Sequence, residues 1–496
     1  MPRFVLLWTD AALFLLLAGA VVYGWRASRS PSVRAAWARV ARDTPAMCAA
    51  VVLCAFALVG LLDSIHYRPL LPPAPDAAPG APRAYAPSVR SALDALLAGS
   101  GLAHPEKTYS APLATRQFTK ETLLEGGEPV RDFPRLAFGG AHLDDPDAPR
   151  LGDVLARLGA GAAAGIAVAL AAGAALAMAL ARRHGGWRAA LGAIARGRTR
   201  LPWRPMWITL VILCVIAGGL AGLASGYHPL GTDRTGNDVL WQALKSVRTA
   251  LVIGSLTTLA MLPPAIVFGI AAGYFKGRVD DVIQYLYTTL TSIPGVLLIA
   301  ACVLMMQVYI DAHPADFPTS AQRADLRLFL LCLILGLTGW AGLCRLLRAE
   351  TLKLRELEYV QAARAFGISH LRIMRRHLLP NVMHIVLITA VLEFSGLVLY
   401  EAVLSYLGIG VDPTMNSFGS MIDMARLEMS RDPMIWWNLA TAFVFMLALV
   451  LAANLFADAV RDAFDPRTRR FAPIGAVAPV IGDAAPAGGA GAGAAR

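Results

Sequence analysis

The sequence predicts an all-α polytopic membrane protein, and its composition and its long apolar stretches carry this prediction. Hydrophobic residues make up 56% of the 496 residues and charged residues only 16%, whereas soluble globular proteins are roughly 25% charged. The mean hydropathy of +0.55 over the whole chain indicates more apolar surface than one soluble core can bury. The composition therefore excludes a soluble multidomain protein, a disordered chain and a fibre.

About nine stretches are long enough, or nearly so, for a transmembrane helix, which needs about 20 apolar residues. They lie at 4–24, 46–62, 157–181, 206–226, 249–274, 284–310, 326–347, 383–407 and 437–459. Pro294 and Gly295 predict a kink within the sixth stretch. The first stretch has no small-residue cleavage site ahead of the basic run that follows it, so we expect it to be retained rather than removed as a signal peptide.

The basic residues between these stretches predict the orientation of the chain. Cytoplasmic loops of membrane proteins carry an excess of Lys and Arg, and here such residues collect at 26–42, 182–204, 276–278 and 345–376. Alternation of the spans then places the N-terminus outside and the C-terminus inside. This asymmetry accounts for the net charge of +11, so we expect contact with membrane lipid and no nucleic-acid partner.

Two regions are too polar to span a membrane. Residues 63–153, on the outer side, open with a Pro/Ala-rich stretch, and a helix is predicted near 88–97. The tail at 471–496 is rich in Ala, Gly and Pro and is predicted to be disordered.

The six cysteines lie within or at the edge of apolar runs, and no C-x-x-C occurs. The sequence therefore predicts neither a disulfide framework nor a metal site.

The most informative cytoplasmic segment lies between the seventh and eighth stretches. A helix is predicted over 355–366, and Gly367 suits the left-handed position just after its end. Ser369 would cap a second short helix that runs to Leu378, and Pro380 would prevent one continuous rod. We therefore predict a bent helical elbow outside the membrane. A solvated basic loop is the alternative interpretation.

This segment resembles the cytoplasmic loop of ABC importer permeases, in which E-A-A, three residues, G and nine residues precede I-x-L-P. The residues at matching positions are Gln361, Ala362, Ala363, Gly367, Leu379 and Pro380. Gln361 replaces the family's glutamate and His377 replaces its isoleucine. The resemblance implies that a coupling loop, residues 349–382, contacts separate ATPase subunits, with the two alanines offering a small-residue surface.

A second segment narrows the family. Residues 228–240 resemble the L-G-T-D-x-x-G-R-D-V-L signature of dipeptide/oligopeptide-type permeases, with Asn237 in place of the arginine. The matching signature residues, expected at the outer surface, are Gly231, Thr232, Asp233, Gly236 and Asp238. The glycines permit tight turns, and the two aspartates are candidates to cap the helix that follows. The alternative interpretation is a capped turn at the membrane surface.

Three further segments resemble the same family in order and spacing. They lie at 401–410, 413–419 and 458–467, so the resemblance extends over about 228–470. It implies five regions: N-terminal helices with a basic loop (1–62), an outer region (63–153), an additional helix pair (154–227), a permease core (228–470) and the tail (471–496). Such permeases usually have six spans, so three helices are in surplus.

Two acidic residues lie within an apolar span, Glu393 and Glu401. Charges in such positions are costly and usually face a water-filled path or a partner. We therefore consider both as residues of a translocation path. A buried glutamate that is hydrogen-bonded to a neighbouring helix is the alternative for each.

The resemblance implies the transmembrane permease subunit of an ATP-driven importer of peptides, a multi-pass protein of the bacterial inner membrane that forms half of the path. The chain has no G-x-x-x-x-G-K-[ST], so it is not expected to be an enzyme or to hold a cofactor; ATP and Mg would bind to partner ATPases. The implied partners are a homologous second permease, two ATPases and a periplasmic peptide-binding protein. An ion-coupled secondary transporter is the first alternative, although the sequence lacks the repeats expected there. A scaffold or membrane enzyme is the second, without a nucleophile–base pair to support catalysis.

Overall fold

The computed structural model describes residues 3–71, 85–86, 88–125, 128–145, 150–184, 186–197, 199–314, 317 and 319–465. Within this part of the chain nine helices are long and apolar enough to cross a membrane, which confirms the predicted fold class. The predicted disordered tail and most of the Pro/Ala-rich stretch lie outside the described residues.

Seven α-helices lie in the described residues of the first half of the chain. They are α1 (Trp8–Arg29), α2 (Pro31–Val40), α3 (Thr44–Asp63), α4 (Ala92–Leu97), α5 (Leu151–His184), α6 (Trp187–Ala195) and α7 (Trp203–Ala224). The spanning helices are α1, α3, α5 and α7. The helix predicted near 88–97 is the shorter α4, and Ser91 caps it with a hydrogen bond from the Asp94 amide.

The part of the second half that the structure describes has ten α-helices. They are α8 (Val239–Phe275), α9 (Arg278–Ser292), α10 (Gly295–Ala312), α11 (Ser320–Gly339), α12 (Ala341–Arg355), α13 (Glu358–Ala365), α14 (His370–Ile373), α15 (Leu379–Tyr406), α16 (Phe418–Glu428) and α17 (Trp437–Phe464). A π-helical turn, Met374–Leu378, joins α14 to α15. The buried core lies around α8, which packs against α3, α11, α12 and α15.

The predicted sixth span is wrong in its bounds, because it combines two helices. The amphipathic α9 ends at Ser292 and α10 begins at Gly295. Pro294 lacks an N–H and clashes with the preceding turn, and Ile293 before it is extended, with φ −86° and ψ 131°. Only α10 qualifies as a span, so the expected kink is a complete break.

Among the described residues, two small sheets lie outside the spans. In the first, β1 (Arg3–Val5) pairs antiparallel with β2 (His66–Arg68), which pairs with β3 (Arg90–Ser91). In the second, β4 (Glu121–Glu125) pairs with β5 (Glu128–Asp132). Because β1 precedes α1 and β2 follows α3, the N-terminus lies on the same side as the region that begins at residue 63. This agrees with the predicted direction of α1 relative to that region.

The surplus helices attach to the core in two ways. α1 packs on α8 and α11, whereas α5 contacts the core chiefly through α7, which lies against α3. Glycines bring α5 and α7 together: a Cβ on Gly165 would lie 2.0 Å from the Cys214 carbonyl oxygen. This helix pair is therefore a closely packed hairpin at the edge of the molecule.

Candidate functional site: the elbow and the outer joint

The elbow begins where α13 ends in a Schellman motif. Gly367 has a φ of +69°, and its N–H donates to the Arg364 carbonyl at 3.0 Å. The next amide, that of Ile368, donates to the Ala363 carbonyl at 3.1 Å. These two bonds satisfy the last carbonyls of the helix. The predicted left-handed role of Gly367 is therefore confirmed.

The two sides of α13 have different environments. Val360 and Ala363 are buried in the core cluster that also contains residues of α8 and α12, whereas Gln361 and Ala362 are exposed. The expectation that both alanines present a docking surface is therefore wrong for Ala363, because a helix side chain three residues after a buried one lies on the same face.

The predicted interruption at Pro380 is also wrong. The helix continues from His370 to Tyr406 as one span, through the π-helical turn that ends at Leu378. Pro380 lies in the first turn of α15, where the α-helical hydrogen-bond pattern has just been interrupted by the π-helical turn, so its missing N–H is tolerated. Ser369 occupies the N-cap position of α14 but makes no side-chain cap bond.

Hydrogen bonds hold the elbow to the end of α8. The Tyr274 hydroxyl lies 2.8 Å from Nδ1 of His370, and the Arg355 guanidinium donates to the Tyr274 carbonyl at 2.6 Å. Lys276 Nζ lies 2.8 Å from a carboxylate oxygen of Glu356 and lowers the pKa of that carboxyl group. The elbow is thus fixed in position relative to α8 from both of its sides.

The tip of the elbow exposes apolar and basic side chains together. Phe366 is 86% exposed and Leu371 is 71% exposed. A groove of about 690 Å³ beside the tip is lined by Arg355, Glu356, Gln361, Arg364, Ala365, Gly367, Ile368, Ser369 and His370. Leu379 is half-buried and Pro380 exposed at the start of α15. Large exposed apolar side chains grouped in this way are typical of a protein-binding surface.

The segment at 228–240 forms a joint between the outer region and the helices. Gly231 and Gly236 have φ values of +75° and +80°. A Cβ would lie 2.5 Å from the Ser110 carbonyl oxygen at the first and 1.9 Å from the Glu106 carbonyl oxygen at the second. Only glycine therefore allows the outer region to approach this turn so closely.

The signature side chains point into the protein. Thr232, Asp233 and Asp238 are each at most 1% exposed. Asp238 caps α8 by accepting from the amides of Leu240 and Trp241 at 2.8 and 3.1 Å, as predicted. Asp233 accepts from amides within the turn and is not a cap. These three polar side chains bond within the turn, to the start of α8 and to the outer region; the signature's location at the outer surface of the membrane stays a prediction.

A buried histidine completes this joint. His228 Nδ1 lies 2.8 Å from Asp238 Oδ2, and its Nε2 lies 3.3 Å from Glu106 Oε1. Burial alone would lower the pKa of His228, but hydrogen bonds to the two carboxylates and their charges raise it to about 9. Burial alone would raise the pKa of Glu106, but His228 and three backbone amides lower it to about 2. A cationic imidazole therefore links the outer region to α8.

The structure separates the two acidic residues of α15. Glu401 is 1% exposed and accepts a 2.6 Å hydrogen bond from the Ser405 hydroxyl one turn along the same helix. α16 packs closely against this turn of α15, since a Cβ on Gly419 would lie 2.6 Å from the Cβ of Ser405. The geometry of Glu401 is that of a buried, hydrogen-bonded glutamate.

Glu393 has a different environment. Its side chain is exposed on the surface of α15. Among the described residues it has no ion pair or side-chain hydrogen bond. An exposed carboxylate in a spanning helix requires water or a second protein next to it.

Sequence reasoning missed a buried charge network at the start of α1. The Arg248 guanidinium lies 2.6 Å from Asp10 Oδ1 and 3.5 Å from Asp325 Oδ1. Thr9 donates its amide to Asp325 at 3.0 Å, and His66 lies 2.7 Å from Asp10. Charged residues near the same end of three apolar stretches were the available signal.

Within the described residues no group of three or more His, Cys, Asp or Glu is arranged to hold a metal ion.

Known proteins match the second half of the chain. The family model described as "Binding-protein-dependent transport system inner membrane component" matches residues 265–470. The oligopeptide transport system permease protein OppC of Mycobacterium tuberculosis is 34% identical over 242 residues, which are 49% of this chain and 77% of that protein. OppC of Haemophilus influenzae is 29% identical over 244 residues, 49% of this chain and 72% of that protein. The dipeptide transport system permease protein DppC of Bacillus subtilis is 28% identical over 246 residues, 50% and 71% respectively.

The fold and the elbow define a multi-pass permease subunit of the inner membrane. More particularly, the chain belongs to the family of inner membrane components of binding-protein-dependent transport systems. The family match begins inside α8, so α1 to α7 lie outside it.

Proposed function

We propose that this protein is the permease subunit of an ATP-driven importer of peptides. The relatives named above, which are oligopeptide and dipeptide transport system permeases, support the substrate class. The order and spacing of the signature segments over 228–470 support the same assignment. In this proposal the chain forms half of a translocation path and a homologous second permease forms the other half.

The observation that carries the proposal is the exposed tip of the elbow. Phe366 and Leu371 project from a segment whose other side is buried against α8 and α12. A separate ATPase subunit that covers these side chains would bury apolar area, and the basic groups around them favour an acidic rim on that partner. The elbow is hydrogen-bonded to Tyr274 of α8, and its second helix continues directly into α15. Movement of the tip would therefore move both of these spanning helices.

Energy is supplied by other subunits in this proposal. The sequence lacks a phosphate-binding G-x-x-x-x-G-K-[ST] segment, so ATP and Mg would be bound by two partner ATPases and the chain would hold no cofactor. A periplasmic peptide-binding protein would deliver the substrate at the outer side. The outer region, joined to α8 through His228, is the surface of this chain that such a protein would meet.

Glu393 is proposed as a residue of the translocation path, because its exposed carboxylate needs an aqueous neighbour or the second permease. Glu401 is proposed to support the path indirectly, by holding the α15–α16 corner through Ser405. Replacement of Glu393 by Gln should reduce transport without loss of assembly. Replacement of Glu401 by Leu should reduce assembly itself.

The coupling proposal is tested by Gly367→Val. A β-branched residue tolerates a positive φ poorly, so the Schellman motif should open and displace Phe366. We expect substrate-stimulated ATP hydrolysis in the reconstituted complex to fall at least tenfold. Gly367→Asn is the matched control, since Asn adopts the left-handed conformation more readily, and it should retain most of the stimulation.

Normal coupling and assembly in Gly367→Val would overturn the proposed elbow contact. Uptake that continues without ATPase subunits, and stops when the proton gradient is collapsed, would instead favour an ion-coupled secondary transporter. Both measurements use the full chain in proteoliposomes, with and without its partner subunits.

A further inference from the structure

The loop between α5 and α7 carries a short helix with two unlike surfaces. Ala190 and Ile194 of α6 are buried, at 0% and 6% exposure, where α6 packs on α5 and α7. Trp187 and Leu191 lie one helical turn apart on an adjoining face and are 54% and 46% exposed. The apolar stripe of α6 is therefore only half covered by protein.

Arginines lie close in sequence to this uncovered stripe. Arg188, Arg196, Arg200 and Arg204 are all exposed, and none has an ion pair with another described residue. Arg188 lies over the Trp187 ring, 5.2 Å from its centroid. The sequence contains no Asp or Glu between Asp153 and Asp233, so no acidic residue close in sequence neutralises them.

The position of α6 along the membrane normal follows from α5. The apolar stretch from 158 to 181 is about 36 Å long at about 1.5 Å per residue, enough to cross a hydrocarbon core of about 30 Å. Arg182 and Arg183 follow directly, and α7 re-enters at Trp203. Since α6 lies between these two ends, it is at the level of the lipid headgroups, where Trp side chains are preferred.

A second basic segment of the same predicted membrane side has a different environment. In α2, Trp37 packs against Phe456 and Phe464, and Arg39 donates to the Ala463 carbonyl at 2.5 Å. The aromatic side chain of α2 is thus used in contacts within the protein, whereas that of α6 is not. General enrichment of cytoplasmic loops in arginine does not explain this difference.

We propose that α6 and the arginines around it bind anionic phospholipids of the cytoplasmic leaflet. Trp187 and Leu191 enter the acyl-chain boundary, and the guanidinium groups bind the lipid phosphates, for which their planar donor arrangement is suited. The site lies outside the family match, so it is a property of the additional helix pair and does not depend on the transported substrate. Its orientation rests on the predicted cytoplasmic location of this loop.

The test is lipid binding by the full-length protein in a neutral detergent, measured by native mass spectrometry. The probes are dioleoyl phosphatidylglycerol and, as the zwitterionic comparison, dioleoyl phosphatidylcholine. The test variant combines Arg188→Gln, Arg196→Gln and Arg200→Gln. Each arginine near an anionic membrane surface raises the affinity about fivefold. Loss of three arginines should therefore lower the apparent affinity for phosphatidylglycerol by about 100-fold. The matched control, Arg26→Gln with Arg34→Gln and Arg42→Gln, should change it by less than tenfold.

A second variant tests the apolar half of the site without changing charge. Trp187→Ser combined with Leu191→Ser should weaken phosphatidylglycerol binding at least tenfold, and it keeps the proposal testable if the arginine variant does not fold. Equal loss in the test and control variants, or equal binding of the two lipids by the native protein, would overturn the proposal. Complete competition by millimolar inorganic phosphate would also overturn it, because the site would then recognise a free anion.

Discussion

At the scale of single residues, His228 determines how the outer region is attached. It lies between two carboxylates that come from opposite sides of the joint, Glu106 from the outer region and Asp238 from the start of α8. The imidazole is 1% exposed, so solvent does little to weaken these interactions. The charge on His228 should therefore contribute to stability in a way that depends on pH.

The sign of that dependence follows from the direction of the pKa shift. The pKa of His228 is raised from its usual 6.5 to about 9, so its stabilisation is complete below about pH 6.5 and is lost as the pH rises through 9. We expect His228→Gln to lower the free energy of unfolding by about 3 kcal/mol at pH 6. The difference from the native protein should shrink steadily up to pH 10, as measured by thermal unfolding in detergent.

Glu106 makes the opposite contribution at low pH. Its pKa is lowered to about 2, so its stabilisation is present above about pH 4.5 and is lost as the pH falls through 2. Glu106→Gln is therefore expected to abolish this loss of stability at acid pH and to lower the pKa of His228. A gap between His228→Gln and the native protein that widens above pH 9 would contradict this account of the joint.

At the scale of elements, the sequence predicts features that depend on neighbouring residues and misses those that depend on distant ones. Gly367 could be assigned because a helix end is decided within a few residues. The break at Pro294 could not be distinguished from a kink, since an apolar window of 284–310 averages over two helices. The pairing of Asp10 with Arg248 joins residues 238 positions apart. Each charge is visible at the end of an apolar stretch, but the sequence does not show which of these charges meet.

This pairing predicts that α1 is a structural part of the permease. Asp10 accepts from Arg248 and is also bonded to His66, and removal of one partner from such a buried network typically costs about 3–5 kcal/mol. Asp10→Ala should therefore lower the thermal unfolding midpoint strongly in detergent. Asp423→Ala is the matched control, because the Asp423–Arg426 pair is exposed and such pairs contribute less than about 1 kcal/mol. Equal midpoints for the two variants would show that α1 is held by apolar contacts alone.

At the scale of the whole molecule, the pairing of β1 with β2 and the spanning helices together determine the membrane topology. The number of apolar stretches alone leaves the orientation of α1 open, because a cleaved or re-entrant segment would have the same composition. The antiparallel pairing of β1 with β2 determines the orientation of α1, because it requires the residues before α1 and those after α3 to lie on the same side of the membrane. The elbow is reached from β2 after five further crossings, those of α5, α7, α8, α10 and the continuous span of α11 and α12. It must then lie on the opposite side.

Cysteine labelling in a background without the six native cysteines tests this topology. Cys332 and Cys344 are fully buried, so each should be replaced by Ala to limit strain. Phe4→Cys and Lys120→Cys, both at exposed positions, should react with a membrane-impermeant maleimide added to the outer face. Phe366→Cys at the tip of the elbow should react only from the inner face. Reaction of Phe4→Cys and Lys120→Cys from different faces would contradict the β1–β2 pairing. Phe4 lies in β1 beside β2, and the described residues between β2 and Lys120 contain no spanning helix.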